Sequence, residues 1–79
     1  VLVNVEVPHS GGVKEKIMAS DALKAAVKRE EDALGGEGRV LVRPSGTEAL
    51  IRVMVEAKTQ EIASDVAQRL VNFIKSLKI

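Results

Sequence analysis

The 79-residue sequence contains no cysteine, which excludes disulfide frameworks, thiolate zinc sites and cysteine nucleophiles. Phe73 is its single aromatic residue, so the chain lacks the stacking platforms with which small sheet domains bind single-stranded RNA or DNA. Twelve lysines and arginines nearly balance eleven aspartates and glutamates, and a net charge of +1 gives no broad field to attract a polyanion or an anionic membrane. We therefore expect neither nucleic acid nor a membrane as a partner.

Long apolar runs are also missing, because no stretch approaches the roughly 20 residues that a membrane span needs. Val1 opens a strand-like segment, whereas a signal peptide would place a basic stretch before an apolar one. We accordingly expect a soluble, cytoplasmic protein. The chain is long enough for one small domain, residues 1–79, and its thin core suggests a part of a larger protein.

Alternating apolar residues predict three strands. Between Val1 and Val7 the valines occupy every second position, and a loop follows at Pro8–Gly12. Two more strands, Arg39–Arg43 and Leu50–Ala57, read as a hairpin around a Pro-Ser-Gly-Thr-Glu loop. In this hairpin the expected core face carries Val40, Val42, Ile51, Val53, Val55 and Ala57.

Helical spacing predicts two helices. The first runs from Ser20 to about Leu34, and Ser20 or Asp21 can serve as its N-cap. The second runs from about Gln60 to Leu77 after Thr59, with an apolar face formed by Ile62, Val66, Leu70, Phe73, Ile74 and Leu77. The order strand, helix, strand, strand, helix predicts an α+β, two-layer sandwich, in which both helices pack on one face of a small, mainly antiparallel sheet.

The hairpin loop has the residue types of an anion site. Arg43 offers a planar fork of N–H donors, and the hydroxyls of Ser45 and Thr47 add two more. Gly46 lacks a Cβ, so its amide and that of Thr47 can approach an anion closely. These groups together suit a phosphate.

Strand parity extends this site beyond the loop. Arg39, Arg43 and Arg52 share the sheet face opposite the valines, so one anion could meet both Arg43 and Arg52. The alternative is an ordinary turn whose flanking arginines pair with Glu48 or Glu56 across the strands.

The hairpin and its neighbours resemble a known family. Residues 38–57 read G-R-V-L-V-R-P-S-G-T-E-A-L-I-R-V-M-V-E-A, and the opening V-L-V-N-V strand and the closing amphipathic helix extend the match over nearly the whole chain. This pattern resembles the fourth, C-terminal domain of the bacterial phosphoglucosamine mutases, within the α-D-phosphohexomutase family. One departure is Ala49, where that family usually has proline.

The resemblance implies a substrate-phosphate-binding role for Arg43, Ser45, Gly46, Thr47 and Arg52. The parent enzyme would interconvert glucosamine 6-phosphate and glucosamine 1-phosphate on the way to the cell-wall precursor UDP-N-acetylglucosamine. A phosphoserine and Mg²⁺ in its other three domains would carry the chemistry, so this domain alone should hold no cofactor, metal or catalytic residue and should be inactive.

The remaining expectations concern Glu48, His9 and two alternative functions of the chain. Glu48 should point away from a phosphate and orient Arg43 or Arg52 as a supporting carboxylate. His9 has no neighbouring ligand that would indicate a metal site. Two alternatives stay open: the same domain of a phosphomannomutase or phosphoglucomutase, and a free-standing anion-binding or protein-interaction module.

Overall fold

A computed structural model describes residues 1–8 and 11–77 of the chain. The expectation for His9 lies outside these residues. In chain order the elements are β1 (Leu2–Glu6), α1 (Val13–Met18), α2 (Asp21–Ala33), β2 (Arg39–Pro44), β3 (Leu50–Glu56) and α3 (Gln60–Ser76).

The sheet has the strand order β1-β3-β2, and both pairings are antiparallel. Val5 lies opposite Ile51, while Val53 lies between Val3 and Val42. This register places the apolar positions of all three strands on one face, as the alternation predicted. The α+β sandwich with an antiparallel sheet is confirmed.

The core lies between that face and the helices. Ile51, Val53 and Val55 are fully buried at its centre, under the apolar side of α3. Leu23 and Ala26 of α2 extend the core toward β2. The opposite sheet face is open, and Leu2 and Leu41 are exposed on it. None of the helices in the described ranges is long and apolar enough to cross a membrane.

The helix α1 was not predicted, so the expectation of only two helices was wrong. It has six residues, and its N-cap Gly12 makes no side-chain capping bond. Ile17 is its one fully buried residue. A segment this short shows almost no helical period, and its stability comes from the packing of Ile17 on the core.

The apolar face of α3 is rotated slightly from the predicted one. Ile62 was placed on that face but is 41% exposed. It lies in the first turn, where its N–H donates to the capping oxygen of Thr59 at 3.1 Å. The buried stripe instead includes the small residues Ala63 and Ala67, which let α3 approach the sheet closely; its other members are Val66, Leu70, Val71 and Ile74.

The predicted caps and one glycine explain how the segments join. The Ser20 side chain accepts the N–H of Leu23, and Thr59 caps α3 in the same way. Gly38 precedes β2, where a Cβ would overlap the carbonyl oxygen of Glu56. Only glycine therefore fits at this entry to the hairpin.

Candidate functional site

The loop between β2 and β3 is closed by hydrogen bonds at both ends. The Ser45 N–H donates to the Leu50 carbonyl at 2.9 Å, so residues 46–49 form the tip. The end of β1 joins the loop, because the Val7 N–H donates to the Ala49 carbonyl at 2.9 Å. These contacts attach the loop to both neighbouring segments, the start of β3 and the end of β1.

Ser45 organises the loop from inside. It is the one buried polar residue in the described part of the chain, at 8% exposure. Its Oγ accepts the Glu48 N–H at 3.2 Å, which leaves the hydroxyl proton as the only donor that the side chain can offer to a ligand. Ser45 therefore supports the loop first and could contribute one hydrogen bond to an anion.

The amides of Gly46 and Thr47 are open backbone donors at the exposed part of the loop. Within residues 1–8 and 11–77 neither N–H has an acceptor, and both residues are exposed. Gly46 does not have a positive φ, and a Cβ there would meet no atom within 4 Å. The fold itself therefore does not require glycine at position 46.

Arg43 and Arg52 lie directly opposite each other on the exposed sheet face. Like charges opposite each other across a ladder repel and destabilise a sheet. In the described residues no carboxylate forms an ion pair with either one, whereas Arg39 binds Glu56 through two N–H donors at 3.2 and 3.3 Å. The alternative of ordinary cross-strand pairing holds for Arg39 but not for the two arginines beside the loop.

One shallow cleft unites the candidate residues. It is lined by the residues that the sequence singled out: Arg43, Pro44, Ser45, Gly46, Thr47, Glu48 and Arg52. Its donors comprise two guanidinium groups, two hydroxyls and two open amides. The arrangement can bind a compact anion from several directions at once.

The expected contact from Glu48 to the arginines is not observed. Its carboxylate pairs with neither Arg43 nor Arg52 in the part of the chain that the structure describes. Its backbone supports the loop instead, since its N–H reaches Ser45 and its carbonyl accepts from Lys14. The exposed carboxylate is free to turn toward solvent and away from an anion.

Lys14 is a loop contact that the sequence did not indicate. Its Nζ donates to the Ser45 carbonyl at 2.6 Å and to the Glu48 carbonyl at 3.3 Å. It lies on α1, 31 residues before Ser45, so no local motif links the two. Only the packing of α1 beside the hairpin shows the connection.

Two perturbed pKa values occur far from this cleft. A bidentate hydrogen bond from Arg69 of α3 lowers the pKa of Glu30 on α2, with Nε–Oε2 and Nη2–Oε1 distances of 2.9 and 2.8 Å. The same bond raises the pKa of Arg69. This pair ties the two long helices together. No group of three or more potential metal ligands occurs in residues 1–8 and 11–77.

The profile of the family "Phosphoglucomutase/phosphomannomutase, C-terminal domain" matches residues 2–73. The chain belongs to this family. A phosphoglucosamine mutase of Corynebacterium efficiens is 57% identical over 70 residues, covering 89% of this chain and 15% of that protein. The phosphoglucosamine mutase of Shouchella clausii is 47% identical over 74 residues, which cover 94% of this chain and 16% of that protein. The phosphoglucosamine mutase of Bacillus subtilis is 43% identical over 76 residues, which cover 96% of this chain and 16% of that protein. The chain thus spans about one sixth of the length of these relatives.

Proposed function

We propose that the loop between β2 and β3, together with Arg43 and Arg52 beside it, binds the phosphate group of a phosphosugar. The observation that carries the proposal is the pair of opposed arginines, Arg43 and Arg52, beside the open amides of Gly46 and Thr47. A sheet that places two unpaired guanidinium groups side by side loses stability unless an anion joins them. Each guanidinium can donate two N–H bonds to a phosphate group, and the amides can donate further bonds to the same three terminal oxygens, since each oxygen accepts more than one.

The relatives extend the proposal to a whole enzyme. Those named above are phosphoglucosamine mutases, so we propose that this chain is the C-terminal, substrate-phosphate-binding domain of such an isomerase. The enzyme would interconvert glucosamine 6-phosphate and glucosamine 1-phosphate for cell-wall precursor synthesis in the cytoplasm. A phosphoserine and Mg²⁺ in its other three domains would transfer the phosphoryl group. The loop would hold the phosphate that is not reacting.

The donor set favours recognition of phosphate over recognition of the sugar. Guanidinium forks and backbone amides match a tetrahedral anion, and none of them selects among hydroxyls around a ring. A substrate that is processed at one end and then at the other would present a phosphate to this loop in both orientations. The sugar would then be selected by residues outside this chain.

An NMR titration tests the proposal on the chain itself. Glucosamine 6-phosphate should shift the amide signals of Gly46 and Thr47 most strongly, while the Ser45 amide, already bonded to Leu50, should respond less. Glucosamine without phosphate is the matched control and should leave the loop signals in place. Binding should be weak, because the cost of immobilising the ligand is undiminished when only one domain contacts it. Shifts confined to the lysines of α2 and α3 would refute the site.

The isolated chain should have no mutase activity. Asp21, Asp32 and Asp65 are scattered over two helices and cannot form a Mg²⁺ site of the kind that phosphoryl transfer uses. Purified chain should therefore leave glucosamine 6-phosphate unchanged in a coupled assay. Turnover that persists after removal of host mutase would contradict the proposal.

A further inference from the structure

Lys14 holds the loop from the side of the helices. Its ammonium group donates to the carbonyl oxygens of Ser45 and Glu48, which flank Gly46 and Thr47. No ion pair between Lys14 and a carboxylate is formed within the described ranges. Its side chain is partly buried, so its position is set by the packing of α1.

Because the peptide bond is planar, this contact also determines the direction of a neighbouring N–H donor. The Ser45 carbonyl and the Gly46 N–H belong to the same peptide group, and in a trans peptide they point in opposite directions. No cis peptide occurs in the described part of the chain. With its oxygen bound to Lys14, this peptide must aim the Gly46 N–H away from the Lys14 ammonium group.

Lys14 and the arginines meet the loop in two different clefts. Helix α1 packs on the core face of the sheet, where Ile17 is buried. Arg43 and Arg52 project from the opposite face, and Lys14 is absent from the cleft that they line. A Gly46 N–H that is turned away from Lys14 can therefore donate into the cleft of the arginines, which Gly46 also lines.

We propose that Lys14 is a positioning residue for phosphate binding, which acts by fixing the peptide between Ser45 and Gly46. This inference rests on the proposed function of the loop. Without the ammonium group the Ser45 carbonyl can rotate toward the cleft, and a carbonyl oxygen in place of an N–H repels an anion. Losing one aligned hydrogen bond to a charged ligand should weaken phosphate binding roughly 10- to 100-fold.

The test compares Lys14→Met with Lys16→Met in the 79-residue chain. Lys16 lies on the same helix, is exposed and makes no side-chain hydrogen bond in the described residues, so its replacement removes the same charge without touching the loop. Inorganic phosphate is titrated while amide shifts give the dissociation constant. Residual dipolar couplings of the ligand-free proteins give the orientation of the Gly46 N–H relative to the sheet.

Lys14→Met should weaken phosphate binding and reorient the Gly46 N–H, at low and at high salt alike, whereas Lys16→Met should change neither. The inference would be overturned if the residual dipolar coupling of the Gly46 N–H were unchanged in Lys14→Met. It would also be overturned if Lys14→Met and Lys16→Met lost the same affinity for phosphate and high salt abolished both losses. If phosphate does not bind to the wild-type loop, the proposed function fails, and the residual dipolar couplings still show whether Lys14 fixes the orientation of the peptide between Ser45 and Gly46. Should Lys14→Met unfold, Lys14→Arg, which keeps the charge and donors, must retain the wild-type coupling and affinity.

Discussion

Removing one of the two opposed arginines should stabilise the ligand-free chain. Arg43 and Arg52 are direct partners across β2 and β3, and residues so paired have Cβ atoms about 5 Å apart. Two unit charges about 7 Å apart in water repel by about 0.6 kcal/mol at low salt, and this sets the scale expected for two flexible guanidinium groups on paired residues. Arg43→Met or Arg52→Met keeps most of the aliphatic stem and removes this repulsion. For a domain of this size the gain corresponds to a rise in Tm of about 2–4 °C.

Arg39→Met provides the control with the opposite sign. Arg39 lies on the same strand and face as Arg43 but is paired with Glu56, so its replacement should lower the Tm slightly. Thermal unfolding followed by circular dichroism in a phosphate-free buffer of low ionic strength measures all three variants. The reasoning is refuted if Arg43→Met and Arg52→Met destabilise the chain as Arg39→Met does.

The same variants should lose the response to ligand. Phosphate at ten times its dissociation constant should stabilise the wild-type chain by about 1.4 kcal/mol. Arg43→Met and Arg52→Met should show a much smaller rise in Tm at that concentration, and Arg39→Met should keep the full rise. Such an exchange of stability for binding is typical of a functional site.

Three further outcomes follow from the packing and the charges. Gly46→Ala should change the free energy of unfolding by less than about 0.5 kcal/mol, whereas Gly38→Ala should lower it by about 1–3 kcal/mol because the new Cβ overlaps Glu56. Urea unfolding of the two variants measures this difference. Glu30→Gln should cost about 0.5–1 kcal/mol at pH 7. Because the folded-state pKa of Glu30 lies below its ordinary value of 4.5, its ion pair stabilises the fold above that pH, and this contribution is lost as the pH falls through the lowered pKa. If Glu30→Gln remained equally less stable than the wild type in acid, the ion-pair explanation would be contradicted. Ala49→Pro should raise stability by about 0.4–1 kcal/mol, since the Ala49 N–H has no acceptor in the described residues, and a fall in Tm would count against this.

Strand parity predicted which side chains share each face of the sheet. A two-residue period fixes which side chains share a sheet face, and it therefore predicted that Arg43 and Arg52 lie on the same face. The register then paired them directly. The helix caps at Ser20 and Thr59 could also be predicted from the sequence, because a capping hydroxyl binds an N–H only three residues away.

Contacts between distant segments were beyond the sequence. The six residues of α1 carry too little periodicity to indicate a helix, so the reach of Lys14 to the loop could not be predicted. The exposure of Ile62 depends on the angle at which α3 meets the sheet, and that angle is set by close packing at Ala63 and Ala67. Spacing along one helix does not contain this information.

Kinetics of the full-length mutase that we propose as the parent of this domain test the central claim most directly. The claim is that the loop binds the substrate through its phosphate in both orientations, so Arg43→Lys should impair both directions of the reaction. An ammonium group cannot reproduce the two-pronged contact, and a loss of about 1–3 kcal/mol, or roughly 5- to 150-fold in kcat/KM, is expected. The measurement is kcat/KM with glucosamine 6-phosphate and with glucosamine 1-phosphate, with Arg39→Lys as the matched control. Comparable losses in both directions are predicted, and wild-type values in both would contradict the account.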